Sequence, residues 1–76
     1  MTREQSIISH LNMTEKRIEN FVITKDHQNA MRMEMYQMGQ LQMLNSLGYH
    51  AIEDEDACKN VDGIWISKYI RIEGEG

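Results

Sequence analysis

Apolar residues recur along this chain in three rhythms, and each predicts a different element. Near the start, Ile7, Ile8 and Leu11 share one side of a short helix. Asn12-Met13-Thr14 predicts a break, because Asn tolerates a left-handed turn and Thr14 is a natural N-cap for Glu15-Lys16-Arg17. A second helix then presents Ile18, Phe21 and Val22, so residues 3–23 are expected to hold two short helices. Phe21-Val22-Ile23-Thr24 is β-prone and weakens the end of the second one.

The second rhythm predicts one long helix over 26–47. Its residues are mostly Met, Gln, Leu, Arg, Glu and Ala, with no β-branched side chain between His27 and Leu47. Thr24 or Asp26 can cap its start, and Gly48 suits a left-handed residue after its end. Gly39 costs about 1 kcal/mol relative to Ala and can admit a close helix contact. At 100° per residue, Met31, Met35 and Met38 stack on one face, continued by Gln42. Tyr36, Met43 and Leu47 form a second stripe roughly opposite, widened by Met33 and Leu44, with Gln40 inside it. Ala30 and Leu41 lie between the stripes, and Arg32 and Glu34 separate them near the start.

A surface helix of a small domain normally carries one apolar stripe, so two stripes imply two neighbours. Both can be internal core, one under the N-terminal helices and one under the C-terminal strands. Alternatively, one faces a second copy or another protein, for which soft methionine is well suited. Thioether ligation of Cu(I) is a third use of such residues, disfavoured because helical Met would need an exposed cluster and no export signal is visible.

The third rhythm is alternation. Tyr49 to Ile52 reads as a short strand, and Glu53-Asp54-Glu55-Asp56 as a solvated acidic patch or the first turn of a brief helix through Asn60. Asp62-Gly63 signals a tight turn into a strand from Ile64 to Ile72. Ile64, Ile66, Ile70 and Ile72 would share one face, interrupted by Lys68. Trp65, Ser67, Tyr69 and Arg71 would share the other. That strand needs a partner in residues 49–53, residues 57–61 or a second copy. Trp65 and Tyr69 together predict an aromatic platform for a partner or stacked bases, or else a pair packed onto a helix. Residues 49–72 thus form a β unit with an acidic loop, and 73–76 a frayed tail.

Composition changes the picture in two ways. Seventy-six residues make one domain, which buries only about 60% of its unfolded surface. Cys58 is the sole cysteine, so no internal disulfide can compensate, and oligomerisation becomes the expected source of extra burial. A lone cysteine also suits a reducing cytoplasm. The net charge of −4 resides wholly in residues 51–76, whose seven acids outnumber three bases, while residues 1–50 balance at five each. That acidity favours a basic protein partner over phosphate backbones. No apolar run approaches the length of a membrane span, and the first residues are not those of a signal peptide.

Candidate chemistry is sparse. Residues 7–21 have a helix–turn–helix rhythm, whose second helix would offer Lys16, Arg17 and Asn20 to base edges. Glu15 and Glu19 on the same helix, and a bulky Ile8 on the first, oppose that use. Cys58 to Gly63 partly matches a calcium loop, but Cys58 and Tyr69 would stand where oxygen ligands belong. His10, His27, His50 and Cys58 lack zinc-ligand spacing, and Cys58 with His50 lacks any catalytic signature.

The expected fold is therefore α+β: two short helices, a long Met-rich helix and a small antiparallel β unit. The expected function is a non-enzymatic interaction module without cofactor or metal, a homodimeric adaptor or inhibitor of a kind that phages and mobile elements encode. Its partner-binding residues would be Met31, Met35, Met38, Gln42, Trp65 and Tyr69, beside the acidic patch Glu53–Asp56. The alternative is a DNA-binding regulator using residues 14–23.

Overall fold

In the computed structural model, which describes residues 1–74, the first helix is continuous. Helix α1 runs Arg3–Ile23 and opens on a capping box, with the Thr2 hydroxyl accepting from Gln5 N (3.1 Å) and the Gln5 side chain accepting from Thr2 N (2.9 Å). The break expected at Asn12-Met13-Thr14 is absent. Thr14 bonds back to His10 O within the helix (3.1 Å), and its hydroxyl also reaches Gln40 on the next helix (3.3 Å). The Asn12 amide is engaged by the β unit, as described below.

Helix α1 ends without glycine. Lys25 takes the left-handed conformation (φ 62°), with Asp26 N bonded to Phe21 O (2.8 Å) and Lys25 N to Val22 O (3.1 Å). These are the two bonds of a Schellman ending, so the β-prone residues before it stay helical. Asp26 then caps α2, His27–Ser46, by accepting from Asn29 N (3.3 Å). A three-residue link leaves the helices packed as a hairpin. Gly48 (φ 86°) supplies the expected left-handed turn after α2.

Four short strands follow: β1 Tyr49–Glu53, β2 Lys59–Val61, β3 Ile64–Ile66 and β4 Tyr69–Gly74. The single strand expected over 64–72 is split at Ser67-Lys68. Its first part forms a hairpin with β2, and its second pairs antiparallel with β1, placing Ala51 opposite Ile72. Asp62 (φ 51°) and Gly63 (φ 86°) both lie at positive φ, as the two-residue hairpin turn requires. Asp54 N donates to Lys68 O (2.7 Å), stitching the acidic segment across the split. That segment makes a turn, not a brief helix, closed by Ala57 N and Cys58 N on Asp54 O. Glu73 and Gly74, expected to be frayed, pair with His50 and Tyr49, while residues 75–76 lie outside the described residues.

The core is small. Ile18, Val22, Ala30 and Ile66 form its buried centre, with Phe21, Met33, Val61 and Ile64 partly buried around them. Leu11, Ile18 and Val22 on α1 stand at helical spacing with Thr14, Glu15 and Glu19, all six buried. Polar side chains on and beside that face dock the β unit. Asn12 accepts from Tyr69 N (2.8 Å) and donates to Tyr69 O (2.9 Å). Glu4 accepts from Ile72 N (3.2 Å), and Glu15 from Ser67 N (3.4 Å). Side chains of α1 thus bond backbone groups of β4 and of Ser67 just before it.

Candidate interaction surface

The inward line of α2 runs between the two stripes drawn from the sequence. Ala30 and Gln37 are buried, and Met33, Glu34, Gln40, Leu41 and Leu44 are partly buried, at alternating steps of three and four. Met33 and Leu44, which widen the second stripe, turn inward, and the rest of both stripes stays outside the core. Met31, Met35 and Met38 on one side, and Tyr36, Met43 and Leu47 on the other, are each between 51% and 68% exposed. Gln42 is exposed beside the first group.

This inversion is caused by contacts with α1. Gln37 Nε2 donates to Leu11 O (2.9 Å), and Gln40 accepts from Thr14. Polar groups that find partners on α1 can face inward at little cost, whereas the slender Ala30 lets the helices close together. Gln37 Oε1 is buried without a partner. His10 and Tyr36 meet edge to face with a 3.3 Å contact between His10 Nε2 and the Tyr36 hydroxyl, tying the second stripe's start to α1.

The second stripe also borders a groove between the helices. About 540 Å³ of open space is lined there by Ile7, His10, Met13, Met43, Leu44 and Leu47. A smaller recess of about 300 Å³ continues it toward Tyr49 and Ile72. The outermost line of α2, between the stripes, carries Arg32, Gly39 and Ser46 at seven-residue steps. A Cβ placed on Gly39 would meet nothing within 4 Å.

The aromatic platform expected from Trp65 and Tyr69 does not form. Tyr69 is buried, while Trp65 is 57% exposed. Alternation along a strand carries side-chain parity only while the strand is continuous, and the split at Ser67-Lys68 interrupts it. Burial, reinforced by the nearby Glu15 charge, pushes the Tyr69 hydroxyl up to about 12. Arg71 stays at the surface, bonded to Glu73 (2.9 Å).

The acidic patch is divided. Glu53 accepts from the Ser67 hydroxyl (2.8 Å), and Asp54 accepts from Asp56 N (3.2 Å), so both help to hold the β unit. Glu55 and Asp56 are exposed. Lys16 is paired with Glu19 (3.0 Å), which also meets Lys59; these two lysines hold the Glu19 carboxyl below the usual range. Arg17 and Asn20 are exposed on α1, but the turn that would have made this segment a recognition helix is absent. Among the described residues no three His, Cys, Asp or Glu side chains are grouped to hold a metal ion. Among the described residues no helix is long and apolar enough to cross a membrane. Cys58 Sγ accepts from Lys68 N (3.4 Å) and lies 3.9 Å from Glu53.

Asn12, Glu15, Glu19 and Gln37 were not expected to organise the structure. Their signal was present: the first three share a helical face with Leu11, Ile18 and Val22 once α1 is taken as continuous. Comparison with protein-family models, curated proteins and solved structures returned no match to this chain.

Proposed function

We propose that this chain is a non-enzymatic protein–protein interaction module, an adaptor or inhibitor that acts through the outer side of α2. One observation carries the proposal: six large apolar side chains flank the buried line of a single helix and remain more than half exposed. Large apolar side chains left exposed together on one helix of a small protein point to a contact site. Methionine suits such a site because its unbranched thioether repacks against varied shapes. The buried carboxylates meanwhile serve the fold, Glu15 at Ser67 N and Glu19 at two lysines.

Exposed Glu55 and Asp56 favour a partner that also carries basic residues. A reducing, cytoplasmic setting is part of the proposal, since Cys58 is free. Replacing Met35 and Met38 together by Glu tests it. The variant should retain wild-type helicity and a cooperative melt while losing association in native mass measurements and in capture from lysate. Unfolding of the variant, or association unchanged from wild type, would reject it.

A further inference from the structure

The charge on the outer side of α2 narrows what can cover it. Arg32 is the one charged residue among the outer positions 31, 32, 35, 36, 39, 42, 43, 46 and 47, and none of them is acidic. Two copies of a chain of net charge −4 repel each other where their acidic C-terminal parts meet. They can meet through a face without acids, and α2 supplies one.

Shape points the same way. Gly39 lies near the middle of α2 on its outermost line, where the monomer leaves open space around it. Glycine is the poorest helix former after proline, so its place there is not explained by the isolated chain. Met35, Tyr36, Gln42 and Met43, three and four residues to either side, wall the dent it leaves. Such a dent lets a second backbone approach closely.

The outer residues are also self-complementary about Gly39. When a helix lies antiparallel on its copy, with a two-fold axis through that glycine, residues equally far before and after it fall over one another. Arg32 then meets Ser46 and Met35 meets Met43 across the seam, with Tyr36 and Gln42 level with each other beside it. The two Arg32 side chains are kept about 20 Å apart along the axis, beyond the screening length of about 8 Å. A parallel pair would set them side by side.

Area agrees. The chain exposes 5475 Å², whereas a compact monomer of its mass exposes about 4,800 Å². The excess, about 700 Å², belongs to the chain as a whole and shows that this fold covers less of its own surface than a compact monomer does.

We infer that two copies of this chain pack α2 on α2, antiparallel about a two-fold axis at Gly39, with Met35 and Met43 of both buried between them. This rests on the interaction-module proposal and names its first partner. Cysteine pairing tests the geometry in a Cys58→Ser background. Gly39→Cys should oxidise to a covalent dimer with glutathione disulfide. Met35→Cys should link efficiently to Met43→Cys when the two variants are mixed, and poorly to itself.

A second substitution separates interface from fold. Gly39→Gln should raise the thermal midpoint of dilute protein by about 3 °C, yet weaken dimerisation at least about tenfold in sedimentation. A wild-type chain that stays monomeric at its highest soluble concentration would overturn the inference. A dimer that tolerates Gly39→Gln and does not cross-link at Gly39→Cys would overturn it too. In either case, loss of lysate capture with Met35→Glu/Met38→Glu would still uphold the interaction module, so the two failures are distinguishable.

Discussion

Helices α1 and α2 are nearly equal in length, at 21 and 20 residues, yet they use their sides in opposite ways. The buried face of α1 includes two carboxylates, and the exposed sides of α2 carry methionines, a tyrosine and a leucine. Hydropathy alone would have assigned those faces differently. The difference teaches that a polar group can go inside wherever a partner waits for it, while an apolar group stays outside where no other element packs over it. Helix α1 touches α2 and three of the four strands. Helix α2 packs on α1 and β1 and is left with a free flank.

The sharpest test contrasts one residue from each helix. Ile18→Ala should cost about 3 kcal/mol of stability, because Ile18 sits fully buried in the core. Met31→Ala should change monomer stability by less than about 0.5 kcal/mol. Urea midpoints of dilute protein decide the matter, and equal losses would abolish the contrast.

The polar docking by α1 can be probed next. Asn12→Ala leaves the backbone N–H and C=O of buried Tyr69 without their side-chain partners. It should cost about 2 kcal/mol and speed amide exchange at Tyr69. Unchanged exchange there would mean that the edge of β4 does not depend on α1.

The two buried carboxylates should respond to pH in opposite directions. Burial raises the Glu15 pKa above its ordinary 4.5, with the Ser67 backbone bond opposing and the Glu53 and Glu34 charges reinforcing the rise. Its favourable contribution is fully present below 4.5 and is lost as pH rises through the folded value. Glu15→Gln should therefore stabilise by about 1 kcal/mol at neutral pH and by nothing in acid. The bonds from Lys59 and Lys16 lower Glu19 below 4.5, so its contribution is present above 4.5 and disappears as pH falls through the folded value. Glu19→Gln should cost about 1 kcal/mol at neutral pH, with the gap closing in acid. Denaturation curves from pH 3 to 7 check both slopes, and parallel profiles for the two variants would contradict the assignment.

The smallest expected effect lies at the inward line of α2. Gln37 donates to Leu11 O but leaves Oε1 buried without a partner. Gln37→Met should stabilise by about 0.5 kcal/mol, since an unmet acceptor is removed along with one bond. A loss of 1 kcal/mol or more in calorimetry would show that the Leu11 contact specifies how the helices pair.

Features set by a residue and its close neighbours were legible before the fold was known. The bounds of α2, its Asp26 cap, Gly48 after its end and the Asp62-Gly63 turn all depend on local backbone preference. The periodic placement of the methionines was legible too, as was the α+β order of elements. The misjudged features depend on distant partners. Asn12 looked like a breaker because its amide can bond locally, but Tyr69, 57 residues away, binds it from both sides. Trp65 and Tyr69 looked like neighbours because strand parity was carried across Ser67-Lys68, where two different partners, β2 and β1, divide the strand.

The sequence by itself determined that α2 carries two apolar lines, because spacing along a helix is geometry and needs no context. It could not determine that the helix faces inward between them. That was decided by α1, whose Leu11 carbonyl and Thr14 hydroxyl give Gln37 and Gln40 somewhere to bond. Hydropathy scores a glutamine as if it faced water, and only a tertiary partner removes that penalty. Once the glutamines could be buried, both methionine lines were left on the outside.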